Sequence, residues 1–170
     1  SRGLGDVYKR QVLYPGNMTD KINDQPLTIG WREWLDLPDL NVHAIKAKID
    51  TGARSSALHA FDIETFVVNG RSLVRFVVHP YQKDSEYSIS AEAELLEWRK
   101  VRNSGGQVQS RPVISTLVHL GGLSWPIELT LTNRDVMGFR MLLGRQAVRR
   151  RFLVNPGRSF LLSHEPSEAE

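Results

Sequence analysis

Short stretches in which apolar and polar residues alternate run through most of this sequence and constrain its fold more than any other feature. In the clearest of them Ile45, Ala47 and Ile49 alternate with lysines, which is the pattern of a β-strand with one buried face. One short helix is predicted after Gly144. Many short strands with one late helix predict an all-β fold, a small closed or nearly closed barrel. The stretches predicted to be strands are residues 27–31, 42–49, 63–68, 73–78, 87–97, 113–120, 127–131 and 160–162. Residues 55–61 are predicted to be a strand or an extended loop, and residues 141–143 are a short apolar run before the helix.

Turn residues separate these stretches. Asn69-Gly70 lies between two apolar runs and predicts a β-hairpin, because both residues tolerate positive φ. Gly121-Gly122 and the polar segment 103–106 predict two further turns. The sequence shows no internal repeat, so a two-lobed protein built by duplication is not supported.

The composition narrows the class of protein. A chain of 170 residues, 41% hydrophobic and 24% charged, is expected to form one globular domain. The lack of cysteine excludes disulfides, thiolate metal sites and a cysteine nucleophile. The net charge of +3 is too small to indicate nucleic acid, and no apolar run reaches the length of a membrane span. We expect a cytoplasmic protein that binds neither nucleic acid nor membrane. The alternative that an N-terminal signal has been lost from the sequence stays open.

The ends of the chain differ from its middle. Residues 1–11 have no periodicity and resemble a translated adaptor or vector remnant, so we treat them as a non-native leader. We expect residues 12–26 to form an N-terminal arm, residues 27–162 the folded domain, and residues 163–170 a flexible acidic tail.

Asp50-Thr51-Gly52-Ala53 follows the alternating strand and is the stretch that best indicates chemistry. Asp50 at a strand end can activate a water, the Thr51 hydroxyl can tie the loop down, and Gly52 permits close approach of another backbone. The triplet alone also occurs in ordinary turns, because Asp and Gly are favoured there. About ninety residues later, Met141-Leu142-Leu143-Gly144-Arg145 is a short apolar run closed by glycine. This pairing of motifs resembles that of retroviral-type aspartic peptidases, which implies that Asp50, Thr51 and Gly52 are the catalytic residues of an aspartic peptidase loop.

The two motifs belong to a larger set that resembles one family. The matching pieces are Ile29–Trp34, Ala47–Ala60, Arg111–Ile114, Leu129–Arg134 and Phe152–Pro156, within residues 27 to 162. The sequence is similar to a bacterial and archaeal family that is named for an ATP-dependent zinc protease and is grouped with retropepsin-like proteins. This resemblance implies a retropepsin-like fold, peptidase activity, and an association with ATP-grasp enzymes that add glutamate to ribosomal protein S6. It also implies that the apolar pair packs under the catalytic loop and that Gly144 starts the helix.

An aspartic peptidase needs two carboxylates that share one proton. The chain contains one Asp-Thr-Gly triplet, so the second carboxylate must come from a second copy, and we expect a homodimer. We expect Ala53, Arg54 and Arg145 to bind a peptide or protein substrate. A guanidinium such as that of Arg54 suits a carboxylate, which favours a glutamate-rich peptide. Arg145 alternatively pairs with an acid near the dimer axis or caps the short helix.

Two alternatives stay open. A zinc hydrolase needs ligands, and the five histidines show no paired spacing. His59 is the best candidate ligand, with Asp50 and a third, unidentified group, but a lone histidine is more often structural, so we expect no cofactor. The sequence has no phosphate-binding loop for ATP. The other alternative is a non-catalytic module that regulates a glutamate-adding ATP-grasp ligase.

Overall fold

The computed structural model describes residues 25–81, 84 and 86–167. Most of the predicted leader and arm therefore lie outside the described residues, as do residues 168–170 of the predicted tail. The described chain contains twelve strands, a single 3-10 turn at Pro38–Leu40 and one α-helix. The strands are β1 (Leu27–Gly30), β2 (Arg32–Leu37), β3 (Val42–Asp50), β4 (Ser56–His59), β5 (Phe61–Val68), β6 (Arg71–Val78), β7 (Ile89–Glu94), β8 (Glu97–Arg102), β9 (Val108–Leu120), β10 (Leu123–Thr132), β11 (Met141–Gly144) and β12 (Phe152–Asn155), and the helix is α1 (Arg145–Val148).

The largest sheet is a nearly closed ring. Its strands follow the order β10-β4-β11-β3-β2-β9-β8, and β10 also pairs with β9, which brings the two ends of the sheet together. The predicted mostly-β barrel with one short helix is therefore confirmed. The helix begins directly after Gly144, as predicted. In the part of the chain that the structure describes, no helix has the length and apolar character that crossing a bilayer requires.

The interior of the ring is apolar because the strands alternate as the sequence predicts. On β3, Ile45, Ala47 and Ile49 are buried, whereas the lysines between them remain partly exposed. The same cluster includes fully buried residues from neighbouring strands, such as Leu58 and Leu143. Burying side chains of this size contributes on the order of 1.5–3 kcal/mol each, so the core fixes the register of β3 and with it the position of Asp50.

A second, three-stranded sheet has the order β5-β6-β7. Its first two strands form the predicted hairpin, with Val68 opposite Arg71. Asn69 and Gly70 adopt φ values of 51° and 76°, which two-residue hairpin turns require.

Two predicted strands are wrong. The single strand predicted at residues 87–97 is split between two sheets, β7 pairing with β6 and β8 with β9. The chain changes partner at Leu95 and Leu96, whose amides donate to Ser72 and Val113 in the two different sheets. An alternating sequence predicts strand structure but carries no information on which neighbour the strand will join.

The predicted closing strand at residues 160–162 is also wrong. The strand near the C-terminus is β12, which pairs in parallel with β1. The amides of Leu161 and Leu162 donate instead to the buried carboxylate of Glu33, at 2.8 and 3.1 Å. Ser163, which we placed in the tail, donates its hydroxyl proton to the same carboxylate at 2.7 Å.

Candidate active site

Asp50 is the last residue of β3, and the loop after it fixes the orientation of its carboxylate. Oδ1 accepts hydrogen bonds from the amides of Gly52 and Ala53, at 3.0 and 3.2 Å. Oδ2 makes no hydrogen bond with any residue that the structure describes. The side chain is partly exposed, so one carboxylate oxygen is held by the loop and the other is available to a water or a substrate.

Strand β11 supports this loop from one side. It runs parallel to β3 with Gly144 opposite Asp50, and the Gly144 amide donates to the Ser56 hydroxyl at 3.0 Å. A Cβ atom on Gly144 would lie 2.5 Å from the carbonyl carbon and oxygen of Ser55. Only glycine fits between the two backbones here.

Helix α1 holds the loop from the other side. The first amides of a helix have no partner within the helix. In α1 the Arg145 amide donates to the Ala53 carbonyl at 2.7 Å, and the Gln146 amide donates to the Arg54 carbonyl at 3.2 Å. The loop carbonyls therefore accept the hydrogen bonds of the first helix amides, and these bonds hold the loop in position.

The apolar pair before Gly144 packs as the family resemblance implies. Leu142 forms a small buried cluster with Ala57 and Val136, against which Ala53 of the loop packs. Leu143 points into the main core, where it is fully buried. The pair thus connects the loop to the barrel interior.

A cleft of about 860 Å³ opens beside the loop. It lies between the loop, the hairpin of β8 and β9, and the segment before β11. Its lining includes six basic residues and three acidic ones. They are Arg54, Arg99, Lys100, Arg102, Arg111 and Arg134 against Asp50, Glu128 and Asp135.

Most of this positive charge is not neutralised. Arg99 contacts Glu97 and also lies 3.1 Å from Glu128; the hydrogen bond to Glu97, then that to Glu128, raises its pKa. Arg54, Lys100 and Arg102 form no ion pair with the described residues. The cleft therefore favours an anionic ligand.

Asp50, Gly52, Ala53 and Arg54 all line the cleft. Arg54 makes no ion pair with Asp50 among the residues that the structure describes. We expected the Thr51 hydroxyl to tie the loop down, but within the described chain it makes no hydrogen bond. The Thr51 carbonyl instead accepts a 2.9 Å bond from Nη1 of Arg145. Arg145, predicted to bind substrate, lies outside the cleft lining and holds the loop.

His59 does not fit a zinc ligand. It is buried at the end of β4 and does not line the cleft. Its Nε2 donates to the Asn133 carbonyl at 3.1 Å, and its Nδ1 accepts from Nη1 of Arg140 at 3.1 Å. This tautomer follows from the partners, since a carbonyl only accepts and a guanidinium only donates.

The surroundings of His59 also disfavour a cation. Burial lowers its pKa, the bond to Asn133 opposes this, and the charge of Arg140 lowers the pKa further. Among residues 25–81, 84 and 86–167, no three His, Cys, Asp or Glu side chains come together as a metal site. The residues present therefore do not fit a zinc ion bound through His59.

Of the six basic residues of the cleft, sequence reasoning predicted Arg54 and missed the other five. Arg99, Lys100 and Arg102 lie close together before the glycine turn of the β8–β9 hairpin, and this short basic run was the one available signal. Arg111 and Arg134 are remote in sequence and converge only through the pairing of β8, β9 and β10.

The nearly closed barrel, the Asp-Thr-Gly loop and the glycine-started helix define a retropepsin-like domain. The chain belongs to the RimB-like family, described as retropepsin-like aspartic endopeptidase RimB, which it matches over residues 28–165. The family predicted from the sequence motifs is thus confirmed.

Among similar proteins are two named "Probable alpha-L-glutamate ligase". The one from Shewanella halifaxensis is 42% identical over 144 residues, covering 85% of this chain and 31% of that protein. The one from Parasynechococcus marenigrum is 50% identical over 130 residues, covering 76% of this chain and 28% of that protein. The chain thus spans less than a third of the length of these relatives.

A solved structure is also similar. It is that of the Legionella pneumophila protein Lpg0085, of unknown function (DUF785), with 31% sequence identity and a TM-score of 0.68. The match covers 82% of this chain and all of the Legionella chain, so the likeness extends over the whole barrel rather than the loop alone.

Proposed function

We propose that this chain is a retropepsin-like aspartic peptidase that acts as a homodimer and hydrolyses glutamate-rich peptides. The observation that carries the proposal is the Asp50 carboxylate, held through Oδ1 by two loop amides beside a basic cleft. Membership of the RimB-like family supports the same assignment.

The exposed surface near the loop supports the dimer. Thr51 and Gly52 are exposed, as expected for a loop that meets its copy across a two-fold axis. The small sheet of β1 and β12 pairs with no further described strand, and it exposes Leu27 and Leu153 by 45% and 58%. In the proposed dimer a second copy supplies the second Asp50 across this loop, and the exposed Leu27 and Leu153 offer further apolar surface for a partner copy to cover.

In such a dimer the two Asp50 carboxyl groups share one proton. The ionised group takes a proton from a water as the water oxygen bonds to the scissile carbonyl carbon. The protonated group donates its proton to the carbonyl oxygen as the C–O π pair moves there. As the tetrahedral intermediate collapses, one of its hydroxyl protons returns to the Asp50 that had donated to the carbonyl oxygen, and the C–N bond breaks. The other Asp50 gives the proton that it took from water to the leaving nitrogen, which restores the starting state of the pair. The products are a carboxylic acid and an amine.

The charge of the cleft supports the choice of substrate. Six basic residues against three acidic ones favour a chain of carboxylates, because a cleft of one sign concentrates ligands of the other. Longer relatives are named probable alpha-L-glutamate ligases, and a peptidase that shortens glutamate-rich extensions would act on the product of a glutamate ligase.

A second candidate function follows from the same relatives. The matched region occupies less than a third of those proteins, so a domain like this one also exists as part of a longer chain. It could there act as a non-catalytic module that binds the glutamate-rich product. This candidate shares the basic cleft but needs neither the dimer nor the carboxylate of Asp50.

The test is turnover of hexaglutamate and hexaglutamine peptides by the wild type and Asp50→Asn, from acidic to neutral pH. Asparagine keeps the shape and the Oδ1 contacts but cannot ionise, so hydrolysis of hexaglutamate should fall by at least about 10³-fold while folding and dimerisation persist. Asp39→Asn changes an exposed acid outside the cleft and serves as the matched control.

Three outcomes separate the candidates. Loss of turnover in Asp50→Asn alone supports the peptidase. Equal turnover by Asp50→Asn and the wild type removes Asp50 from the mechanism. Hexaglutamate binding without turnover by any folded, dimeric variant favours the binding module.

A further inference from the structure

Arg111 is a buried cation without a carboxylate partner. It lies on β9 and only 7% of its surface is exposed. The single hydrogen bond that its side chain makes within the described chain runs from Nε to Oε1 of Gln109, at 3.0 Å. Buried arginines are normally paired with an acid, because an unpaired charge is expensive to remove from water.

Gln109 is held in place by its own partners. Its Oε1 also accepts a 3.0 Å bond from the Thr132 hydroxyl, and its Nε2 donates to Oδ1 of Asn133 at 3.4 Å. The neutral amide therefore fixes one edge of the Arg111 guanidinium but leaves the charge uncompensated. The two Nη atoms have no hydrogen-bond partner among the described residues, and the side chain lines the same cleft as Asp50.

The neighbouring arginines differ from Arg111. Arg99, directly opposite Arg111 in the β8–β9 pair, is compensated by Glu97 and Glu128. Arg134 donates to the neutral side chain of Gln107 at 2.9 Å. Burial, and then repulsion from Arg134, lowers the pKa of Arg111. Of these cations, Arg111 has the most to gain from an arriving anion.

We propose that Arg111 determines specificity by receiving one side-chain carboxylate of an acidic peptide bound beside Asp50. The two free Nη atoms offer a planar pair of donors that matches the two oxygens of a carboxylate. The exposed arginines of the cleft attract negative charge in general, whereas this buried guanidinium selects an acidic side chain at one position of the peptide. The inference rests on the proposed function for the identity of the ligand.

Binding is measured in the Asp50→Asn background, so that cleavage does not interfere. The probes are fluorescein-labelled hexaglutamate, the same peptide with an amidated C-terminus, and hexaglutamine. Arg111→Gln and Arg111→Lys should each weaken hexaglutamate binding roughly ten- to hundredfold, since lysine keeps the charge but not the planar pair of donors. Arg102→Gln removes an exposed charge from the same cleft and should weaken it only a few-fold, an effect that high salt removes.

A second variant keeps Arg111 in place. Gln109→Glu puts a carboxylate where the amide oxygen now lies 3.0 Å from Nε. It should raise the midpoint of urea unfolding, because the buried charge gains an internal partner, and weaken hexaglutamate binding about as much as Arg111→Gln. Opposite signs for stability and binding are not expected of a purely structural arginine.

The outcomes are distinct. If the Arg111 and Arg102 variants lost hexaglutamate affinity equally, and high salt removed both losses, the cleft would attract anions only in general and the proposal would be overturned. Absence of hexaglutamate binding would also overturn it. An Arg111 effect that disappears with the amidated peptide would assign the site to a terminal carboxylate and also overturn it. If the Arg111 variants also bind the amidated peptide more weakly, and the wild type cleaves none of the peptides, the role of Arg111 in binding is supported and the peptidase function fails.

Discussion

Replacing Gly144 with alanine should displace the loop that carries Asp50. The new Cβ would lie 2.5 Å from the backbone of Ser55 and 3.0 Å from the Arg54 carbonyl, whereas ordinary contact begins near 3.4 Å. The two backbones must therefore separate by about 0.9 Å (3.4 − 2.5). Gly144 has a φ of −86°, so alanine suffers no conformational strain and the effect is purely one of space.

The cost of Gly144→Ala can be estimated from two contributions. Overpacking of a buried contact costs about 1–3 kcal/mol, and weakening the bond from the Gly144 amide to Ser56 adds about 1 kcal/mol. We expect the free energy of unfolding to fall by about 2–4 kcal/mol in urea titrations. If the proposed peptidase activity holds, a shift near 1 Å at the loop should also lower turnover by roughly 10²-fold.

Gly157→Ala is the matched control for this experiment. A Cβ there meets only Oδ1 of Asn155, at 3.4 Å, so the free energy of unfolding should change by less than about 0.5 kcal/mol. Equal stability of the Gly144→Ala and Gly157→Ala proteins would refute the claim that close backbone approach at Gly144 positions the loop.

Two further predictions concern buried polar groups. Glu33→Gln replaces a carboxylate that accepts four hydrogen bonds with an amide that turns N–H groups toward some of the donors, so the free energy of unfolding in urea should fall by about 2–4 kcal/mol and proteolysis near Leu161 should accelerate. Glu64→Gln, at an exposed position, is the control. If Glu33→Gln were as stable as the wild type, the role given to Glu33 would be contradicted. Folding lowers the pKa of His59 below 6.5, so the unfolded state binds more protons and the free energy of unfolding should fall as the pH drops below about 6.5. His59→Gln, whose amide can bond to both Asn133 and Arg140, should remove that part of the pH dependence, whereas His43→Gln should not. Identical pH profiles of stability for the wild type and both variants would exclude His59 as the cause.

The features that could be predicted from the sequence are those fixed by neighbouring residues. Strand β3 follows from the alternation that ends at Ile49, and the β5–β6 hairpin follows from Asn69-Gly70. The start of α1 follows from Gly144, although the reason for the glycine does not lie in the helix. The Ser55 backbone that excludes a side chain there is contributed by another part of the chain.

The features that could not be predicted depend on distant partners. The segment 160–162 has the composition of a strand, but the Leu161 amide donates its hydrogen bond to the Glu33 carboxylate, 128 residues away in the sequence, instead of to a neighbouring strand. Arg111 follows the polar residues Gln109 and Ser110 and looks like a surface residue in the sequence, yet the pairing of β8, β9 and β10 buries it. The charge of the cleft likewise arises from residues spread from Arg54 to Arg134, and no local pattern groups them.

The insertion of β11 between β3 and β4 has a consequence for the order of folding. The strands on either side of the Asp50 loop are nearly consecutive in sequence, but the strand that joins them is synthesised more than eighty residues later. Such long-range closure slows folding, because loop entropy is lost before the contacts form. A nascent chain that ends before Met141 therefore carries the Asp-Thr-Gly sequence with the facing edges of β3 and β4 unpaired, and the site can form only after β11 has been synthesised.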